Sequence, residues 1–319
     1  MSRSVANVIK FALVAVAIAL GLLVAGEIGL RVLFGFGNPL LYIADDRIGY
    51  LLAPNQRTRR FGNRVEINQY SMRSESIAPQ PDAATLRILL LGDSIAGGGW
   101  WTDRDDTIST RMAECLRERS GRQPVEVLNA SANSWGPRNE LAYLEQFGHF
   151  QSRAIVLLIN TDDLFAIAPT SLPVGRDRNY PARKPLLAWV EVIERYLLPE
   201  PQIPELDRLR QEGGDRVGKN LAAIEQIHTR LAAGGIPLIL ALSPLKREVT
   251  PSGPKDYELK ARDRLLELTR SHKIPFLDFL PIFAEIEPPG ALFRDTIHPT
   301  PEGNRILSDR ICQLLETVW

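Results

Sequence analysis

Five short aliphatic runs punctuate this chain: RILLLG (87–92), VEVLN (125–129), AIVLLIN (154–160), IPLILALS (236–243) and IPFLDFL (274–280). Runs of this length with little polar alternation read as strands buried on both faces, the pattern of a parallel sheet. The segments between them have helical spacing. TISTRMAECLRERSG (107–121) sets Ile108, Met112, Cys115 and Leu116 on one face and stops at a glycine. RNELAYLEQFG (138–148) does the same, and VGKNLAAIEQIHTRLAAGG, YELKARDRLLELTRSHK and PEGNRILSDRICQLLETVW follow later. The last has Thr300 as N-cap and Pro301 in its first turn. Alternating strands and helices imply an α/β fold, a parallel sheet with helices on both faces, because parallel neighbours need crossover connections. Ligands in such folds sit outside the carboxyl ends of the strands.

Three stretches fall outside this rhythm. At the N-terminus, Arg3 and Lys10 precede FALVAVAIALGLLVAG, and Glu27 and Arg31 follow. With Val8 and Ile9 counted and Lys10 snorkelling outward, the stretch approaches the roughly 20 residues that cross a bilayer. The lack of a polar face argues against a buried core helix. Val24-Ala25-Gly26 is a passable signal-peptide cleavage site. The continuation EIGLRVLFGFG is still helical and apolar, which favours an uncleaved anchor. The basic residues lie on the short side, so that side is expected in the cytoplasm and the remainder outside it. Residues 36–85 are polar and turn-rich, and read as an extended, partly irregular arm with one short strand near Val65–Ile67. Residues 165–213 are rich in proline and include LLAWVEVIERYLL, an apolar helical stretch, and read as an insertion or lid. The expected division is thus 1–35 stub and anchor, 36–85 arm, and 86–319 α/β domain with the insertion at about 165–213.

Lys and Arg number 38, as do Asp and Glu, so the net charge is zero. No basic stripe exists, and nucleic acid is not an expected partner. The two cysteines, Cys115 and Cys312, are far apart and give no zinc spacing. No metal or organic cofactor is expected.

The turn after the first run reads LLLGDSIAGGGWW (89–101). Ser94 lies just beyond the strand, on the edge where such folds bind ligands. A serine hydroxyl is a weak nucleophile that needs a base, an orienting group for the base, and donors for the oxyanion. Of four histidines, His149 follows a helix end, His228 lies within a helix and His272 ends one. His298, in RDTIHPTPEG after the last run, has Asp295 three residues before it. A turn of that length lets the carboxylate reach the imidazole and set its tautomer. A lone G-D-S is usually a turn, and a lone D-x-x-H a cap beside a surface histidine. Their positions after the first and last strands make the combination informative. A phosphate-binding role for GDSIAGGG is disfavoured, since it lacks the P-loop lysine and the dinucleotide spacing.

On these motifs, Gly92-Asp93-Ser94-Ile95 and Asp295-Thr296-Ile297-His298, the chain resembles the SGNH hydrolases, also called GDSL esterases and lipases, over roughly residues 86–317. The upstream EIGLR (27–31), Gly49-Tyr50, Pro54-Asn55 and Ile67-Asn68 are similar to a bacterial membrane-anchored branch of that family. The resemblance implies a flavodoxin-like three-layer α/β/α sandwich with a five-stranded parallel sheet, preceded by one transmembrane helix. It implies Ser94 as nucleophile, His298 as base and Asp295 as its partner. It also implies an oxyanion hole made of the Ser94 backbone N–H, the backbone N–H of a glycine after the second strand, and an asparagine side chain after the third. In a flavodoxin-like strand order the helices carrying Cys115 and Cys312 are neighbours. Two buried thiols are the favoured reading, since free cysteine packs well in cores, with a disulfide as the alternative in an exported domain.

The chain departs from the family pattern at two places. In NASANSWGPRNE the glycine position falls on Ser134, with Gly136 two residues on. A backbone N–H survives that exchange unless positive φ is required. The family's G-x-N-D falls on Asn160-Thr161-Asp162-Asp163, so Asp162 stands at the oxyanion asparagine. An ionised carboxylate cannot donate a hydrogen bond. Either Asp162 is held protonated, or Asn160 takes over, or Asp162 points elsewhere, or ester hydrolysis has been lost.

The resemblance implies a serine esterase acting on a small acyl group, with acetyl as the leading choice, of a cell-envelope glycan or lipid. Its location would be the bacterial inner membrane, single-pass, with the catalytic domain periplasmic. The alternatives are an O-acyltransferase with the same triad and a catalytically weak protein binding a glycan or an envelope partner. Trp100 and Trp101 either line an acceptor surface or pack beneath the insertion.

Overall fold

The computed structural model describes residues 3–318 apart from 122 and 212. Helix α1 (Arg3–Gly29) runs into a π-helical turn at Leu30–Phe34. Its apolar stretch, Asn7–Phe34, is long enough to cross a membrane and is not buried against the rest of the chain. Two antiparallel hairpins follow, β1 (Tyr42–Asp45) with β2 (Gly49–Leu52), and β3 (Gln56–Arg60) with β4 (Asn63–Ile67). The sequence reads as an irregular arm here, with one strand, and the structure differs. Ile48, Tyr50, Leu52, Val65, Ile67 and Met72 are buried in the same core as the central sheet. Long-range burial fixes strands such as QRTRR (56–60), whose local pattern is weak.

The main domain alternates as its periodicity predicts: β5 (Leu86–Gly92), α2 (Ser94–Gly97), α3 (Ile108–Arg119), β6 (Val125–Ser131), α4 (Pro137–Phe147) and β7 (Ala154–Asn160). The inserted α5 (Ala188–Tyr196) and α6 (Pro204–Arg210) come next. Then follow α7 (Arg216–Ala233), β8 (Leu238–Ser243), α8 (Asp256–Ser271), β9 (Phe276–Asp278), α9 (Phe279–Ala284) and α10 (Pro301–Glu316). The five long-range strands form one parallel sheet in the order β6-β5-β7-β8-β9. Alternate side chains divide the core. Leu89, Leu91, Ile155, Leu157, Leu240 and Leu242 face the hairpins, α4 and α7. Ile88, Leu90, Val156, Leu158, Ile239 and Ala241 face α3 and α10. This is a three-layer α/β/α sandwich.

Two local readings change. The last aliphatic run yields only three strand residues, because the Asp278 carboxylate accepts the Leu280 N–H at 2.9 Å and starts α9. The cysteines are not free thiols: α3 and α10 lie side by side, and Cys115 and Cys312 form a disulfide with Cα atoms 6.6 Å apart.

Candidate active site

The parallel register brings the carboxyl ends of β5, β6 and β7 to one edge, with Gly92 opposite Ser131 and Leu158. Asp93 leaves β5 and caps α2, its carboxylate accepting the Ile95 N–H at 2.8 Å. Ser94 is thereby the first residue of a short helix at the sheet edge. Gly98 ends that helix in the left-handed conformation, and a Cβ at Gly99 would overlap the Trp101 ring. The buried guanidinium of Arg73 donates to the carbonyls of Gly97, Gly99 and Thr102 and holds this glycine loop in shape.

The second half of the site comes from the loop between α9 and α10. A bridge between Phe293 and Pro299, and the Arg294 N–H to His298 carbonyl bond of 2.9 Å, close that loop on itself. His298 Nε2 lies 2.8 Å from Ser94 Oγ. His298 Nδ1 lies 2.9 Å from Asp295 Oδ2. The Asp295 carboxylate also accepts the backbone N–H groups of Ile297 (3.0 Å) and His298 (2.9 Å). Partial burial works to raise this carboxyl, but the His298 and Ile297 N–H bonds and the imidazole outweigh it and hold it below the ordinary value. Trp101 meets the His298 ring edge-on at 4.5 Å, and Arg294 stacks over Trp101 at 5.1 Å. Serine, imidazole and carboxylate are thus in one hydrogen-bonded line, 204 residues apart in sequence at the Ser94–His298 contact.

The other expected site residues are distributed differently. Ser134 lines the cleft with Ser94 and His298. Its φ is +56°, in the left-handed region where glycine fits best, and its hydroxyl accepts from Tyr180 Oη at 3.0 Å. Serine in place of the family glycine therefore carries backbone strain here. Gly136 is no donor to the cleft, because its N–H is bonded to Asn139 Oδ1 at 3.0 Å as the N-cap of α4. The Asn160 amide is also spent, donating to Asp93 Oδ2 at 2.9 Å and Asp163 Oδ2 at 2.8 Å. Asp162 is exposed and does not line the cleft. Its charged neighbours are Glu258, Arg247 and Lys255 on the β8–α8 side. Asp162 thus lies beside the charged groups at the start of α8 and outside the cleft.

Sequence reasoning missed Asn133. It lines the cleft beside Ser94 and Ser134, and among the described residues its side-chain amide has no hydrogen-bond partner. The Tyr50 hydroxyl holds the Asn133 carbonyl at 2.6 Å, and the buried Trp135 indole donates to the Tyr50 carbonyl at 3.0 Å. The Gly49-Tyr50 pair was visible in the sequence, but its role in bracing this loop was not. Among the described residues, no cluster of histidine, cysteine or carboxylate side chains is arranged to hold a metal ion.

Beneath the cleft, Asp93, Asp163 and Glu140 are buried near one another, the first two bonded to Asn160. Burial pushes the Asp93 carboxyl up to about 6, against the opposing pull of the Ile95 N–H, the His298 charge and Asn160. Burial raises Asp163 and Glu140 well above the ordinary range, with Asp93's charge adding to both. The cleft itself, about 450 Å³, is walled by Trp100, Trp101, Tyr42 and Tyr180, and by Arg195 and Tyr196 of the insertion. Both tryptophans line it.

The profile of the GDSL-like lipase/acylhydrolase family matches residues 90–306. Among solved structures, the chain is similar to TesA (16% identity, TM-score 0.48, 73% of this chain and 99% of that one). It is similar to the acetyl xylan esterase AlAXEase (16%, TM-score 0.48, 71% and 98%). A third is a catalytic mutant of Axe2, an acetylxylan esterase from Geobacillus stearothermophilus (15%, TM-score 0.47, 72% and 93%). A comparison with curated proteins gave no match.

Proposed function

This chain belongs to the GDSL-like lipase/acylhydrolase family, and from that premise we propose that it is a membrane-anchored serine esterase that removes a small acyl group from a cell-envelope glycan or lipid. The observation that carries the reading is the Ser94–His298–Asp295 line, at 2.8 and 2.9 Å. Ser94 Oγ attacks the ester carbonyl carbon while His298 Nε2 takes its proton. Asp295 holds the Nδ1–H tautomer and stabilises the imidazolium. Collapse of the tetrahedral intermediate expels the alcohol, which receives the proton from His298. Water then attacks the acyl-serine by the same route in reverse, and the acid leaves.

The oxyanion needs donors aimed at one point. The backbone N–H groups of Ser94 and Ser134 have no acceptor among the described residues, and both residues line the cleft. The third donor is the Asn133 side chain, which replaces the asparagine missing at position 162. Aromatic walls suit a sugar ring or a short acyl chain.

Attachment through α1 is supported by contacts that cleavage after Gly26 would sever. Trp189 Nε1 donates to the Leu23 carbonyl at 3.1 Å, and a Cβ at Gly26 would overlap the Trp189 ring. The test of the catalytic reading is fluorophosphonate labelling of the full chain in mild detergent, with the adduct mapped by mass spectrometry. An adduct on Ser94 that is absent from folded Ser94→Ala supports the reading. An unlabelled but folded parent protein refutes it.

A further inference from the structure

The insertion is fastened to the end of the anchor helix. Glu27 caps α5 by accepting the N–H groups of Ala188 (2.8 Å) and Trp189 (3.2 Å). Arg31 donates to the Leu186 carbonyl at 2.8 Å. From the other side, Glu191 is buried, ion-paired with Arg60, and accepts the Gly37 N–H at 2.7 Å. The first turn of α5 is therefore held from two sides, by Glu27, Leu23 and Arg31 of the anchor segment and by Gly37 and Arg60.

This fixes where α5 meets a bilayer. About 20 residues of helix at 1.5 Å each cover a hydrocarbon core of about 30 Å. Counted from Asn7, where the apolar span begins, that length ends near Gly26. Leu23, which holds the Trp189 indole, is then about one helical turn inside the outer boundary. Trp189 lies at the depth that aromatic residues favour at membrane interfaces.

The exposed side of this segment is apolar apart from Glu194, and it is uncovered. Leu186 is 92% exposed and Leu197 73% exposed. Leu187, Ile193 and Leu198 are exposed beside them, and Val32 and Leu33 at the end of α1 are exposed as well. Large exposed apolar side chains gathered on one segment mark an interaction surface. Its attachment to the end of the uncovered apolar helix α1, through Leu23, Glu27 and Arg31, identifies the occupant as the same bilayer. Exposed Arg183 and Lys184 stand at its start, the arrangement of an interfacial amphipathic segment.

The opposite side of the segment reaches the catalytic cleft. Arg195 and Tyr196 line the Ser94 cleft. Along the exposed apolar side itself, a second cavity of about 880 Å³ is bordered by Leu186, Val190 and Leu198 and by Arg178, Arg183 and Lys184. The two cavities share Pro39, Asp177, Pro181 and Arg195. We infer that residues 186–198 form an interfacial platform embedded in the outer face of the membrane that α1 crosses, and that the enzyme takes its ester from an amphiphile at that surface rather than from bulk water. This inference rests on the reading of α1 as an uncleaved anchor.

The test uses the full chain in vesicles of phosphatidylcholine and phosphatidylglycerol. Both native cysteines are in the disulfide, so Leu197→Cys, and separately Ile193→Cys, accept a single environment-sensitive fluorophore. Glu267→Cys on the exposed face of α8 is the control. With nitroxide-bearing lipids quenching at the headgroup–acyl boundary, the platform labels should lose about half their emission, because interfacial helices sit about 5–10 Å deep. The control label should be unaffected. Labels at 197 and 193 that stay as bright as the control, on protein that withstands an alkaline wash of the vesicles, overturn the platform while the anchor stands. Protein released by the wash overturns the anchor and the platform with it.

Discussion

Substituting Asp93 by Asn separates the electrostatic burden of the buried carboxyl from its hydrogen bonds. Asp93 is 2% exposed, and its carboxyl is raised from 3.8 to about 6. A carboxyl raised on folding contributes stability that is fully present below the unfolded value and is lost as pH climbs through the folded one. Between about pH 3.5 and pH 7.5 that loss is about 3 kcal/mol, at about 1.36 kcal/mol for each unit by which the carboxyl is raised. The amide of Asp93→Asn does not ionise, so the variant should escape the loss. It has a separate, pH-independent defect. In the parent, Oδ1 accepts from Ile95 and Oδ2 from Asn160; an amide turns its own NH₂ toward one of those two donors, at a cost of about 1–3 kcal/mol. Asp163 works in the same direction, since removing the Asp93 charge relieves one of the influences raising it. Urea unfolding of the full chain in mild detergent, followed by tryptophan fluorescence, should find the variant clearly less stable than the parent at about pH 3.5. The gap should close by about 3 kcal/mol by about pH 7.5. A stability difference that stays constant across that range would refute the assignment of a raised, buried Asp93.

Asp295→Asn should keep the fold and lower kcat for a soluble acetyl ester by roughly 10³–10⁴, because the amide favours the wrong imidazole tautomer; steady-state kinetics beside a thermal melt check this. Asn133→Ala should lower kcat by about 10²–10³ with little change in KM, as loss of one oxyanion donor does; an unchanged kcat would remove Asn133 from the mechanism. Reducing the Cys115–Cys312 disulfide, which links residues 197 apart, should destabilise the chain by about 2–5 kcal/mol, measured as a lower urea midpoint in dithiothreitol and reproduced by a double Cys→Ala variant.

The sequence by itself determined the sheet. Five aliphatic runs separated by helical spacing leave a parallel sandwich as the available packing, and they put the turns after Gly92 and before Pro299 on a common edge. It also carried Ser94, Asp295 and His298 at positions that such a sheet brings to one edge, where they form one hydrogen-bonded line. The tertiary structure decided what depended on partners remote in sequence. The hairpins formed because Ile48, Val65 and Met72 share the sheet's core, a fact that no local window of QRTRR contains. The Asn160 amide is held by two buried carboxylates beneath the cleft, and Asp162 lies beside Glu258, Arg247 and Lys255 rather than in the cleft. Asn133 lines the cleft beside Ser94, its carbonyl held by Tyr50, 83 residues away. The disulfide followed from the packing of α3 on α10, and the orientation of α5 from Glu27 and Trp189. Periodicity is a property of neighbours along the chain and survives in the sequence. Donor direction and helix-to-helix contact depend on distances in space, which folding alone sets.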